Sequence, residues 1–286
     1  MVESEPIREE FESNAFNSLP PVLEWWQAIL LVGAVWLLSL VMSTVTGPFI
    51  SVKWVAVISE IVAYFFPVVL LVYFSKLRRA GIYKLLGLSD LRLVVLIPIV
   101  GVGYTVSSSV FVDIAHMIRP IPESLVDLMF GLLHADSIPG LIAVFFIAAV
   151  SPAVAEELLF RGVVQPALIA RIGPAAGIGV TAFLFASIHL NPWSFIPLVI
   201  AGTFFGFVTY KTGTFWAGAL AHFGYNLIAV VEASRIDNLD YARLTERLPW
   251  YIFIPGLAVA VIGTIVLWKM SSRLNRTREP ELEPDR

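Results

Sequence analysis

Long apolar runs separated by short polar punctuation dominate the chain. Runs near 26–46, 54–74, 93–112 and 250–268 each approach the roughly 20 residues needed to cross a bilayer core of about 30 Å. They lack the period-two alternation of barrel strands and are too long for tilted ones, so helices are predicted. Read through to the end, the pattern predicts eight spans, at about 25–46, 54–74, 92–113, 139–165, 175–190, 195–210, 214–232 and 250–270. One stretch does not fit a plain span. Residues 139–171 would make a straight helix of about 50 Å, too long to stand upright in the bilayer. Ser151-Pro152 lies in its middle, and proline kinks or breaks a helix. A break near 152 is therefore predicted, with the sequence AEELLFR (155–161) opening a second helical piece beside an internal cavity.

Composition supports this reading. The chain has 286 residues, 58% hydrophobic and only 14% charged, against about 25% charged in an ordinary soluble domain. The fold class is an all-α, polytopic transmembrane bundle in the lipid bilayer, with a polar cavity among spans 4–7. It forms one membrane domain over 25–271, with its polar core at 139–232, between flexible tails expected at 1–24 and 272–286. A net charge of −3 without a basic stripe gives no reason for a nucleic-acid partner. The absence of cysteine removes disulfides, thiolate chemistry and cysteine-based metal sites. The acidic start and the missing basic n-region argue against a cleaved signal peptide, so the first helix is expected to stay. With eight spans, thirteen Lys and Arg lie at one set of span ends and five (Lys53, Arg119, Arg235, Arg243 and Arg247) at the other. The positive-inside rule then puts both termini in the cytoplasm.

Glu156, Glu157 and Arg161 stand inside one of the most apolar stretches. Glu157 and Arg161 are four apart, one helical turn, with the acid N-terminal, the favourable order for an ion pair. Glu156 points about 100° away and has no local partner. A charge at mid-membrane costs at least about 2.5–3.5 kcal/mol, so all three are expected to face protein or water. A structural ion pair with one spare acid is the plainer reading, and this segment alone does not decide. FLFASIHL places His189 one turn after Phe185, and AHFGYN places His222 and Asn226 four apart; each pair shares a helix face. A lone histidine or asparagine there is more often a packing or interhelical hydrogen-bonding residue. His116 and His134 fall in the 113–138 connection and read as loop residues. Glu60 and Asp113 read as helix-packing or cavity-lining groups, and KLRR (76–79) as topogenic charge.

Helical rise brings Glu156, His189, His222 and Asn226 toward one layer. Gly202, Gly206, Gly213, Gly218 and Gly224, with Ala217, Ala219 and Ala221, supply the small residues for close helix approach. A buried carboxylate can take a proton from water as general base, with His189 orienting the water. His222 and Asn226 can donate to the oxyanion formed when water adds to a carbonyl. The same layer offers a zinc set of Glu156, His189 and His222. No HExxH motif is present, so spacing alone does not favour metal.

EELLFR fits EExxxR, FASIH (185–189) fits FxxxH, and HFGYN fits HxxxN, in that order. Together they resemble the CPBP family of intramembrane proteases, which includes the type II CAAX prenyl endopeptidases and bacterial homologues linked to bacteriocin processing or immunity. The resemblance covers roughly 139–232 and departs from the pattern at no motif residue. It implies that Glu156 and His189 activate water, that His222 and Asn226 stabilise the oxyanion, and that Glu157 and Arg161 support them. It also implies a membrane-associated, prenylated or otherwise lipophilic peptide substrate and a bacterial or archaeal cell membrane. Cleavage is expected near the cytoplasmic leaflet. Zinc-dependent and metal-free mechanisms both remain open, and the missing zinc motif leans toward metal-free. The rival is a non-enzymatic immunity or scaffold protein that keeps the pocket for binding. A proton-coupled transporter finds no internal repeat to support it.

Overall fold

The computed structural model describes residues 21–74, 90–233 and 248–278. Most of the acidic N-terminal tail, the KLRR segment and the end of the C-terminal tail lie outside them. The described residues form helices and connecting turns without strands. In chain order the helices are α1 (Trp25–Thr46), α2 (52–74), α3 (Leu91–Ile118), α4 (Glu123–Leu133), α5 (Ile138–Ile172), α6 (Pro174–Ile188), α7 (Phe195–Thr212), α8 (Phe215–Ala233) and α9 (Trp250–Arg278).

Each of the eight predicted spans is a helix, and α4 is an additional one. Six are long and apolar enough to cross a membrane: α1, α2, α3, α5, α7 and α9. The 15 residues of α6 are apolar but short, and α8, which carries His222 and Asn226, is not among the six. α3 continues to Ile118, beyond its expected end, so His116 sits in its last turn and not in a loop. The serines of this stretch do not end the helix because Ser107, Ser108 and Ser109 return their hydroxyls to carbonyls one turn earlier.

The predicted break at Pro152 does not occur. α5 is continuous over 35 residues, about 52 Å. It widens into π-helical turns at Phe146–Val150 and Phe160–Val164. A third wide turn, Glu60–Phe65, lies in α2. All three precede an X-Pro pair: Phe66-Pro67, Ser151-Pro152 and Gln165-Pro166. Proline lacks an N–H and crowds the carbonyl four residues back. A turn bonded five residues back absorbs both defects and keeps the helix running.

α3 is the central post, packed along α8 and α9, while α5 touches α1, α2, α6 and α8. Glycines set the closest crossings. A Cβ at Gly224 would lie 2.1 Å from the Pro98 carbonyl oxygen, and one at Gly101 2.3 Å from that of Ala221. Gly202, Gly206 and Gly218 also stand at close approaches. Gly213 does not: it ends α7 at φ 72°, where a left-handed residue turns the chain into α8.

Candidate active site

The site is built on the α5 segment Ser151–Leu159, between its two wide turns. Glu157 is 0% exposed, and its Oε1 accepts from Arg161 Nη1 at 2.6 Å and from His222 Nδ1 at 3.1 Å. Arg161, also 0% exposed, donates through Nη2 to the Gly202 carbonyl at 2.8 Å. Its guanidinium lies 5.0 to 5.9 Å from the ring centres of Phe185, Phe205 and Phe160. A buried ion pair holds only when further hydrogen bonds and dipoles replace water, and these contacts supply them. The expected Glu157–Arg161 pair is present, and it ties α5 to α7 and α8 as well. Gly218 makes room for it, since a Cβ there would lie 2.8 Å from Glu157 Oε2.

The two histidines are held in defined orientations. His189 caps α6 and donates from Nδ1 to the Phe185 carbonyl at 2.8 Å. That bond leaves Nε2 facing Glu156 Oε2, 3.9 Å away. Glu156 is 9% exposed and its Oε2 has no hydrogen bond. His222 stacks on Phe205 with ring centres 4.9 Å apart and meets the edge of Phe185 at 5.5 Å. Phe185 therefore wedges between the imidazoles, since it also lies 4.9 Å from His189. Among the sequence candidates, Glu156 and His189 face one another. His222 is hydrogen-bonded to Glu157 and reaches Glu156 electrostatically. Asn226 lies half-buried one turn beyond His222 on α8.

A second wall comes from α1 and α2. Glu60 opens the wide turn of α2 and accepts a hydrogen bond from the Ser151 hydroxyl. Glu60 and Tyr64 both interact electrostatically with Glu156, and Tyr64 lies beside Ser39 of α1. The sequence reading offered Glu60 as a helix-packing or cavity-lining group, and the Ser151 bond makes it the latter. The signal that could have promoted it is a carboxylate in an apolar span with no local partner. Phe205 was missed as well, because nothing in its own helix points to a histidine on another. His116 and His134 stay local: His116 accepts from the Ile121 N–H, and His134 pairs with Asp136 and stacks on Phe130.

The zinc alternative requires Glu156, His189 and His222 around one point. Among the described residues no three His, Asp or Glu side chains gather as metal ligands would, and no step below is routed through a metal.

Residues 138–228 match the family described as Type II CAAX prenyl endopeptidase Rce1-like. The stretches EELLFR, FASIH and HFGYN all lie inside the matched segment. The segment runs from α5 into α8 and is about a third of the chain. Over that segment the chain is similar to CAAX-type proteases, membrane hydrolases acting on peptide bonds. No curated protein and no solved structure matches the chain.

Proposed function

We propose that the protein is an intramembrane endopeptidase in which Glu156 activates water to cleave a peptide bond of a membrane-associated substrate. One observation carries the reading. Glu156 Oε2 is buried, unbonded and 3.9 Å from the Nε2 of a histidine whose other nitrogen is already engaged. Both facing atoms are acceptors, and a water can donate one O–H to each. Glu156 then takes a proton as the water oxygen attacks the carbonyl carbon.

The carbonyl oxygen becomes an oxyanion, for which His222 Nε2 and the Asn226 carboxamide are the donors. His222 donates from Nε2 while Nδ1 stays bonded to Glu157, so it carries both protons at that step, with Glu157 as counter-charge. Collapse of the intermediate breaks the C–N bond. The proton on Glu156 passes to the leaving amine, and the carboxylate is restored. Both termini lie in the cytoplasm in this reading, in a bacterial or archaeal cell membrane.

The test compares wild type with Glu156→Ala and His189→Ala, purified in detergent, on a farnesylated peptide ending in a CAAX box. Peptides captured by Glu156→Gln from host membranes and identified by mass spectrometry form a second substrate panel. Loss of cleavage in both alanine variants is the expected result. Full cleavage by either variant of a peptide that wild type cuts overturns the assignment.

A further inference from the structure

In the proposed hydrolysis the water is served by Glu156 and His189, and the oxyanion by His222 and Asn226. The leaving nitrogen gains a proton as the C–N bond breaks, and none of these four holds it in place. A second carboxylate stands at the site and takes no part in those steps. Glu60 opens the wide turn Glu60–Phe65 of α2, and that turn packs against the Ser151–Leu159 segment of α5. Its Oε2 accepts from the Ser151 hydroxyl, and it interacts electrostatically with Glu156. The Ser151 bond anchors one carboxylate oxygen and leaves Oε1 for the site.

Packing alone does not call for an acid at this position. A carboxylate within an apolar span is costly, and an amide would accept from Ser151 as well as a carboxylate does. The cations on the surrounding elements are engaged elsewhere. Arg161 binds Glu157 and the Gly202 carbonyl, and Lys53, about two turns before Glu60 on α2, donates to the His134 carbonyl. The spacing suits a reacting peptide unit. Ser151, which anchors Glu60, precedes Glu156 on α5 by about 7.5 Å along the axis. In the tetrahedral intermediate the attacking oxygen and the leaving nitrogen sit on one carbon. With a hydrogen bond at each end, they span up to about 8 Å between two carboxylates.

We propose that Glu60 meets the leaving nitrogen, accepting a hydrogen bond from the scissile N–H and facing the positive charge that forms there. The role rests on the protease reading and deepens it. Attack forms the C–O bond and puts a proton of the water on Glu156. As the oxyanion re-forms the carbonyl, the electron pair of the C–N bond goes to nitrogen, which takes the proton from Glu156 and departs as an amine. While Glu156 carries that proton it is neutral, and Glu60 is the carboxylate left to balance the charge on nitrogen. His222 and Asn226 steady the negative end of the breaking unit and Glu60 the positive end. The substrate class narrows accordingly, to acyl bonds whose leaving atom carries an N–H. An ester at the scissile position forgoes what Glu60 supplies.

The test uses the full chain in detergent and a matched pair of substrates. One is whichever peptide of the two panels above wild type cuts; the other is its depsipeptide, in which an ester oxygen replaces the scissile N–H. Glu60→Gln keeps an acceptor for Ser151 and removes the charge, and Glu60→Ala removes both. Each should lower kcat on the amide by about 100-fold, the effect of losing one such stabilising group, with KM little changed. The ratio of amide to ester kcat should fall at least about tenfold, because the ester never used Glu60. A purely structural role lowers both rates alike, so a ratio that stays within about twofold of wild type overturns the proposal. Unchanged amide turnover in Glu60→Gln overturns it too. Should Glu60→Ala fail to fold, Glu60→Gln decides alone. Wild type that cuts both substrates while the ratio stays fixed in the variants rejects this role and leaves the protease reading standing. Wild type that cuts no peptide of either panel rejects the protease reading and this role with it.

Discussion

Two neighbouring carboxylates with the same side chain stand in opposite circumstances. Glu157 is bonded to Arg161 and His222, whereas Glu156 Oε2 is bonded to nothing. Glu157→Gln leaves the guanidinium of a fully buried Arg161 without its counter-charge, which costs about 3–5 kcal/mol. Thermal unfolding in detergent should show a large fall in Tm, or no folded protein. Glu156→Gln removes a charge that the fold does not satisfy, so Tm should hold or rise while cleavage is lost, the usual trade between stability and a strained active site. Equal destabilisation by both substitutions would show that Glu156 is structural. Cleavage by wild type should also survive a strong zinc chelator, since the steps proposed above use no metal. At this scale the sequence made the Glu157–Arg161 pair legible, because a spacing of four fixes it. It could not show that His222 bonds Glu157 and not Glu156, which depends on how α8 is rotated against α5. Nor could it bring Glu60 to the site, since that needs the packing of α2 on α5.

The helices themselves were readable because apolar length is a direct requirement of the bilayer. Their internal shape was not. A proline in an apolar helix permits a break, a kink or a wide turn, and which one forms depends on the neighbours that take up the freed carbonyls. The pairs at Pro67, Pro152 and Pro166 take the wide turn, whereas Pro98 in α3 and Pro255 in α9 do not, and two of those turns bracket the Ser151–Leu159 segment that carries the glutamates. Pro152→Ala restores an N–H and favours a regular helix by up to about 3 kcal/mol. Closing the preceding turn removes one residue from the count and rotates Glu156 by about 100° relative to its present direction. Stability should be unchanged or higher while cleavage falls sharply, read from Tm and turnover on one preparation. Retained turnover would mean that the wide turn does not set the direction of Glu156. Helix contacts give a cleaner contrast. Gly224→Ala forces a Cβ to within 2.1 Å of the Pro98 backbone oxygen and should lower stability by about 1–3 kcal/mol. Gly33→Ala meets nothing within 4 Å and should be neutral or mildly stabilising.

At the scale of the whole molecule, the matched segment 138–228 holds every motif residue but not every wall of the site. α3 presses on α8 through Gly101 and Gly224, and α9 backs α3 in turn through Gly256 and Gly263. Glu60, Tyr64 and Ser39 close the site from α1 and α2. These helices were legible only as apolar spans, since nothing in an apolar run says which neighbour it will meet. Their packing implies that the segment cannot hold its site alone. Expressed by itself, 138–228 would expose to lipid the faces of Ala221 and Gly224 that now meet α3, and would leave Ser151 without its carboxylate. Membrane burial of these faces gains little, because lipid is as apolar as the helices they lose, so tight packing is what holds them. The fragment should therefore run as a polydisperse species on size exclusion, without a cooperative thermal transition. Co-expression with two further fragments, one ending after α4 and one carrying α9, should restore a monodisperse complex with a single transition. A lone 138–228 fragment that is monodisperse and unfolds cooperatively would show that α1–α4 and α9 are accessories to the site and not part of its construction.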